Sequence, residues 1–546
     1  ALATIKGRRR YLCPARVRLT KARLNLAREF DAGVWDGDLD DKGIAEEPDS
    51  DTFTSGAREC AGEACPDYNR CPYRVATERA QKAAVVVTNH AYLISASRLG
   101  EDAGHPCSPK EGVVLIVDEA HCLEDTARQI LRRSLPLGEK FIATIQGQWR
   151  VAHKAANGLR LGVPEHIVGR LSAELRALRQ AANCRAEQGA LVIPAGKPPA
   201  WLRPLVARLR GTCAELMSVL DERLLPAVRQ NATIAARSAL PVLSVVGRLA
   251  DAIEQAESVL AAFEDERPAK EWPPARWLEG GGDEVAFAWS APIEVGPLLR
   301  AMLWERVDAA ALVSATLRSV GGFAPAAGAL GMPDGSGALA LRSPFALNRQ
   351  AVVEIPAMRA DPSDEEAFCA EVASLLPGAL RARGVLVLFA SRAQMQRVYE
   401  LIQPEIKRQV LLQGACGSTR DMLRLHGEKV AAGGRSLIFG MASFYTGVDL
   451  PGSLCEQVMI VRVPFRPPGD PIEQARAAAY AANGRSYFRE VVLPDAGRRL
   501  VQGVGRLIRR ESDRGTITIF DSRLRNTTWG SQLVKLLQSA GYKTDG

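Results

Sequence analysis

Residues 114–125 read VLIVDEAHCLED, four apolar residues running directly into two carboxylates and a histidine. A short buried strand that delivers acids at its C-terminal end is the pattern of wound α/β sheets, where ligands gather at the carboxyl ends of the strands. A carboxylate pair in that position suits phosphoryl transfer: one acid holds Mg²⁺ and a second orients or deprotonates the attacking water. Asp118 and Glu119 would take those roles in that order. Two acids stabilising a helix N-terminus account equally well for DEAH taken alone.

Working outward, similar runs recur at 83–90 (AAVVVTNH), 310–317 (AALVSATL), 384–391 (GVLVLFAS), 436–444 (SLIFGMASF), 457–465 (QVMIVRVPF) and 515–523 (GTITIFDSR). They predict buried parallel strands with helices between them, an α/β architecture. From about 126 to 285 the strand signal vanishes, and segments such as EHIVGRLSAELRALRQAANC repeat apolar residues at helical spacing, so this region is expected to be a helical insertion. The stretch KEWPPARWLEGGGDE closes it, and a second boundary is expected near 328–345, which is rich in Gly and Pro. Strands before and after residue 330 predict two related α/β lobes.

At 546 residues, 47% hydrophobic and 24% charged, the chain requires several domains. It has no apolar run of membrane-spanning length and no apolar segment behind its basic N-terminus, so a soluble, cytoplasmic protein that uses no membrane is expected. The net charge of +8 is modest, but it is unevenly placed. Residues 1–30 hold nine Lys or Arg against Glu29 alone, and residues 31–50 hold eight acids against Lys42. A phosphate backbone could use the first stretch and not the second.

Eleven cysteines without a signal peptide argue against a disulfide framework. Cys107, Cys122, Cys184, Cys213, Cys369, Cys416 and Cys455 are isolated and are expected to be buried small hydrophobes. Cys13, Cys60, Cys65 and Cys71 are clustered, and four soft thiolates suit either Zn²⁺ or an iron-sulfur cluster. Near the C-terminus, QGVGRLIRR (502–510) puts Gln502, Arg506 and Arg509 on one face if the segment is a helix. Guanidinium groups so placed can neutralise charge on a transferring phosphoryl group.

Taken in order, VVTNHAYLI, VDEAH, VSATL, VLFAS, SFYTGVDLPG, VPFRPPGDP and QGVGRLIRR closely resemble the ordered motifs of the DinG and XPD branch of the superfamily 2 helicases, and the similarity spans nearly the whole chain. The resemblance implies two RecA-like motor lobes, with an iron-sulfur insertion and a helical arch inserted in the first. Residues 1–125 would be part of the first lobe, with the iron-sulfur domain at about 10–80. Residues 126–285 would be the arch, 286–330 the rest of the first lobe and 331–546 the second. It further implies a 5′ to 3′ ATP-dependent DNA helicase of repair or replication, acting on single-stranded, forked or structured DNA beside a single-strand binding protein. Asp118, Glu119, His121, Gln502, Arg506 and Arg509 would be catalytic, with His121 coupling the nucleotide to Gln502. Gly447, Asp449 and Gly505 would line the ATP site, and Ser314 and Thr316 would link hydrolysis to DNA. Asn89, His90 and Ser391 would lie along the DNA path, and Cys13, Cys60, Cys65 and Cys71 would hold a [4Fe-4S] cluster.

The chain departs from the pattern in places. No GxxxxGK[ST] loop is present; the nearest string, AGKPP at 195–199, puts Pro198 where a Mg²⁺-binding hydroxyl should be. With Ala1 first, the chain is expected to be a fragment that begins within the first lobe and is inactive without its upstream phosphate loop. Thr446 stands where the family often has Glu, and Cys122 where it has Asn. The rival readings are a non-catalytic iron-sulfur DNA-binding paralogue and a helicase fused to an upstream exonuclease.

Overall fold

The computed structural model describes residues 1–21, 23–98, 105–185, 190–234, 236–281, 284–441, 444 and 450–545. The chain divides into two compact units, one of Ala1–Ile116, Cys122–Ala311 and Gly469–Gly484, the other of Val117–His121, Leu312–Pro468 and Arg485–Gly546. Sequence boundaries alone do not give this division, because residues 117–121 join the second unit and 469–484 join the first.

In the first unit β1 (Leu2–Thr4) pairs in parallel with β2 (Val85–Val87), and β3 (Val114–Val117) carries the opening stretch. The region expected to be a helical insertion, about 126–285, also contains three strands among its described residues, and a fourth begins at its end. β4 (Arg133–Pro136), β5 (Ala190–Ile193), β6 (Ala275–Gly281) and β7 (Glu284–Ala291) form an antiparallel sheet in the order β4-β7-β6-β5. Trp277 and Trp289 face each other across β6 and β7, and their rings stack at 6.0 Å. β8 (Ala309–Leu312) pairs with β3. Among the described residues each of these short pairs has two strands, so the outward positions of the pleat stay open: Val114 is 66% and Ile116 70% exposed, against the expectation of buried strands.

The helices Glu139–Gly158, Ile167–Asn183, Arg203–Met217 and Ala236–Glu264 build the main core of this unit. In Ile167–Asn183 the residues Leu171, Leu175, Leu178 and Ala182 recur at three and four spacing, and all are buried. Leu135, Leu278 and Ala288 close the core from the sheet. Each buried leucine contributes roughly 1.5–3 kcal/mol over an exposed one. The helix Pro471–Ala482, capped by Asp470, is held by a buried charge cluster: Arg476 lies 3.3 Å from Glu124 and 3.4 Å from Glu294.

The second unit is a wound sheet. β9 (Ala351–Glu354), β10 (Gly384–Leu388), β11 (Val410–Leu412), β12 (Ser436–Gly440), β13 (Gln457–Ile460), β14 (Gly515–Ile519) and β15 (Lys543–Thr544) run parallel in the order β11-β12-β10-β13-β14-β9-β15. β10, β12 and β13 are buried at every position, as near-continuous apolar runs require when both faces are covered. Among the described residues no helix is long and apolar enough to cross a membrane.

Candidate functional site

β3 ends at Val117, and the chain turns through Asp118 and Glu119 into the short helical turn Ala120–Cys122 and the helix Leu123–Leu131. Glu119 makes that turn at φ +46°, in the left-handed region that side chains other than glycine seldom adopt. Asp118 Oδ1 accepts from the Glu119 N–H at 2.9 Å and braces it. The outcome is two exposed carboxylates standing at the carboxyl end of a strand.

From this turn a chain of polar contacts runs through the second unit. His121 Nδ1 lies 3.1 Å from Glu119 Oε2 and 2.8 Å from Ser314 Oγ. A carboxylate only accepts, so the arrangement calls for the Nδ1–H tautomer. Ser314 Oγ accepts from the Thr316 N–H at 3.2 Å, and Gln502 Nε2 donates to Thr316 Oγ1 at 3.1 Å. His121 therefore reaches Gln502 through Ser314 and Thr316.

The helix carrying Gln502, Leu493–Val504, ends with Gly505 as its C-cap. Arg506 and Arg509 thus lie past its last turn, and the shared helical face expected for Gln502, Arg506 and Arg509 does not form. Asp513 shapes the segment that follows, its Oδ2 accepting from the N–H groups of Arg509 and Arg510 at 2.8 Å each.

Sequence reading missed two residues here. Arg498 Nη1 donates to the His121 carbonyl at 2.5 Å, fixing the histidine from behind. Asp495 in turn pairs with Arg498, with Arg499 at 3.0 Å and with Arg466 at 2.9 Å. Burial pushes the Asp495 carboxyl up, but the three arginines outweigh it and hold it well below the usual carboxylate range. The available signal was the i, i+3 and i+4 spacing of DAGRR, which on its own reads as a solvated helix face.

Of the residues assigned to the DNA path, Asn89 accepts from the Tyr92 N–H at 2.8 Å and Ser391 caps its helix by accepting from the Gln394 N–H at 3.1 Å. His90 begins the helix His90–Arg98. Asn89 and Ser391 thus have local capping work in addition to the role expected of them. Gly447, Asp449 and Thr446 lie outside the described residues.

The clustered cysteines converge. Cys13, Cys60, Cys65 and Cys71 line one small cavity with Arg8 and Tyr73. Cys13 and Cys71 are each followed by a proline that opens a helix, Pro14–Thr20 and Pro72–Gln81. Burial pushes the Cys13 thiol up to about 12 and raises Cys65 and Cys71, while backbone N–H groups just beyond each cysteine favour the thiolate. Among the described residues no three His, Cys, Asp or Glu are set to hold a single metal ion. Four thiols lining one cavity are a donor set that suits either Zn²⁺ or an iron-sulfur cluster. Of the isolated cysteines, Cys213, Cys369 and Cys455 are buried as expected; Cys107, Cys122 and Cys416 are half-buried and Cys184 is exposed.

The basic run beside the cysteines is occupied. Lys6 pairs with Asp38 at 2.6 Å and Asp40 at 3.0 Å, and Arg10 with Asp40 at 2.9 Å and Glu46 at 2.7 Å. Arg23 pairs with Asp49 at 3.1 Å and with Glu47. The acidic loop neutralises much of the surface that the sequence offered to a phosphate backbone.

Comparison with known proteins places these features in context. A helicase C-terminal domain model matches residues 379–540, and the DEAD_2 model matches 58–137. The ATP-dependent DNA helicase DinG of Photobacterium profundum is 30% identical over 531 residues, covering 92% of this chain and 75% of that protein. The DinG of Salmonella typhimurium is 32% identical over 540 residues, covering 93% and 74%. Among solved structures, an XPD helicase matches with a TM-score of 0.54 at 14% identity, over 100% of this chain and 86% of that one. S. tokodaii Xpd4 matches with a TM-score of 0.53 at 13% identity, over 85% and 83%.

Proposed function

The chain belongs to the DinG and XPD type of ATP-dependent DNA helicase, and from that premise we propose that it moves 5′ to 3′ along single-stranded DNA and separates forked duplexes during repair or replication. The observation that carries this reading is the contact chain from Glu119 through His121, Ser314 and Thr316 to Gln502. Such a chain links the residue next to the attacking water to a helix that leads into two arginines, so that nucleotide state and strand grip change together.

In this proposal Asp118 would hold Mg²⁺, which when bound would supply positive charge to the nucleotide's phosphates. Glu119 orients the attacking water and takes its proton, and its contact with His121 Nδ1 fixes the carboxylate's direction. Arg506 and Arg509 neutralise the phosphoryl oxygens, and Gly447, Asp449 and Gly505 line the nucleotide. Asn89, His90 and Ser391 meet the DNA strand. Cys13, Cys60, Cys65 and Cys71 hold a [4Fe-4S] cluster, supported by their shared cavity. The enzyme works in the cytoplasm beside a single-strand binding protein.

The test is Glu119→Gln in the native gene product. It keeps the shape and the Asp118 brace but removes the base. Phosphate release in the presence of single-stranded DNA is expected to fall by at least about a hundredfold while ATP binding is retained. Full turnover in that variant would show that Glu119 is not the water-positioning residue.

A further inference from the structure

We infer that Phe465, Phe488 and Trp529, with Arg523, form a base-stacking site for single-stranded DNA in the second unit; this rests on the helicase reading above and adds a contact which that reading does not use. Three rings from three separate elements meet here. Phe465 follows β13, Phe488 opens the π-helical turn Phe488–Val492, and Trp529 sits in the helix Thr528–Ser539. Their centroids lie 6.0 Å apart for Phe465 and Phe488, 5.1 Å for Phe465 and Trp529, and 6.3 Å for Phe488 and Trp529. Phe465 and Trp529 pack against the core, as an ordinary peripheral pair would. Phe488 differs, because it leans on the other two rings and is 39% exposed.

A fixed cation accompanies the rings. Arg523 Cζ lies 5.4 Å from the Trp529 ring and 5.9 Å from that of Phe465. Fully buried Asp521 grips the guanidinium through both oxygens, at 2.9 and 2.7 Å. Thr527 Oγ1 donates to the Arg523 carbonyl at 2.7 Å and accepts from the Gly530 N–H at 2.9 Å. A Cβ at Gly530 would come within 2.1 Å of that carbonyl, so only glycine lets the Trp529 helix sit so close to Arg523. The platform is therefore preorganised.

Arg462 lies near enough to Arg523 that, after burial, their mutual repulsion lowers its pKa. Asp521, Asp361 and Glu365 also face Arg462, so carboxylates balance the two guanidinium groups and the contact rests on the rings. The site sits at the carboxyl ends of β13 and β14, the edge where wound parallel sheets receive ligands. Rings stack on any base, so the contact is sequence-tolerant, as a translocating protein requires.

Binding of an oligothymidylate, and of an abasic strand of equal length, is measured by fluorescence anisotropy on the native gene product and on Phe488→Ala and Phe488→Trp. Phe488→Ala is expected to weaken oligothymidylate binding about tenfold, within the range for one stacked base. It should leave the abasic strand unaffected, which also reports that the protein remains folded. Phe488→Trp is expected to restore the loss. Equal weakening on both strands, or none on either, would overturn the site while leaving the helicase reading intact. Failure of the unaltered protein to bind either strand would overturn both.

Discussion

Glu119 sits at φ +46° because the strand has to stop and release two carboxylates within two residues. That geometry survives only where its surroundings hold it, and Asp118, His121 and Ser314 do so. Ser314 is the pivotal link, since its hydroxyl meets His121 on one side and the Thr316 N–H on the other. Ser314→Ala removes both contacts at almost constant volume. At roughly 1–1.5 kcal/mol for a lost polar link, DNA-stimulated ATPase should drop about tenfold, read as phosphate release with and without single-stranded DNA. An unchanged DNA-stimulated rate would show that the relay does not run through Ser314. DEAH and SAT were legible in the sequence because each ends a recognisable apolar run; QGVGR follows no such run and was legible through its arginine spacing and the resemblance of the ordered motifs. Arg498 was not legible, since its partner is a backbone carbonyl far away in the chain and no side-chain pattern announces it.

At the scale of elements, the helix Leu493–Val504 shows how one buried charge organises a segment. Asp495 gathers Arg466, Arg498 and Arg499, and Arg498 then reaches His121. Asp495→Asn leaves three guanidinium groups without their shared anion. It should destabilise the fold by roughly 3–5 kcal/mol, the cost of breaking a buried pair from one side, read as a lower denaturation midpoint. The acid response has a definite sign. Because Asp495 titrates lower in the fold than in the unfolded chain, its contribution is complete above about pH 4 and is lost as pH falls below that toward the folded value. The Asn variant should therefore converge with the native protein in strong acid, and a gap that widens on acidification would refute this account. In the second unit β10, β12, β13 and β14 were legible because burial on both faces writes them as apolar runs, whereas β9, β11 and β15 were not among the runs read from the sequence. The sheet of β4, β5, β6 and β7 was not legible, because Pro and Gly surround its tryptophans and two of its strands, β4 and β5, pair with partners far away in the chain. The end of the helix at Val504 was likewise hidden, since the arginine spacing continues past the point where the backbone leaves the helix.

Over the whole chain, the net charge of +8 gave little guide to where DNA meets the protein, because carboxylates within the same sixty or so residues meet the N-terminal cations. The four cysteines were legible from spacing; what braces them was not. Glu59, immediately before Cys60, is almost completely buried and accepts from Arg16 at 3.0 Å, from Arg248 at 3.0 Å and from Arg9 at 3.2 Å. Arg58 is its mirror image, donating to Asp221 at 3.1 Å, to Asp251 at 3.0 Å and to Glu254 at 2.6 Å. Arg248, Asp251 and Glu254 belong to the helix Ala236–Glu264, and Gly247 permits the approach, since a Cβ there would lie 2.7 Å from the Arg58 carbonyl. The cysteine segment is thus docked on the long helix by two adjacent residues of opposite charge. If the thiols hold a [4Fe-4S] cluster, protein purified without air should contain about four irons per chain and Cys65→Ser should lose them; stoichiometric zinc would refute the cluster. Glu59→Gln should then lower iron retention although it touches no thiol, because Arg16 fixes the helix after Cys13 and Glu59 fixes the approach to Cys60. Amide hydrogen exchange should rise in the same variant around Ser244 to Asp251, since the anion that Arg248 meets is gone. Exposed Glu63→Gln, in the same loop, should change neither reading. Full iron and unchanged exchange in Glu59→Gln would show that the cysteine segment stands without its dock.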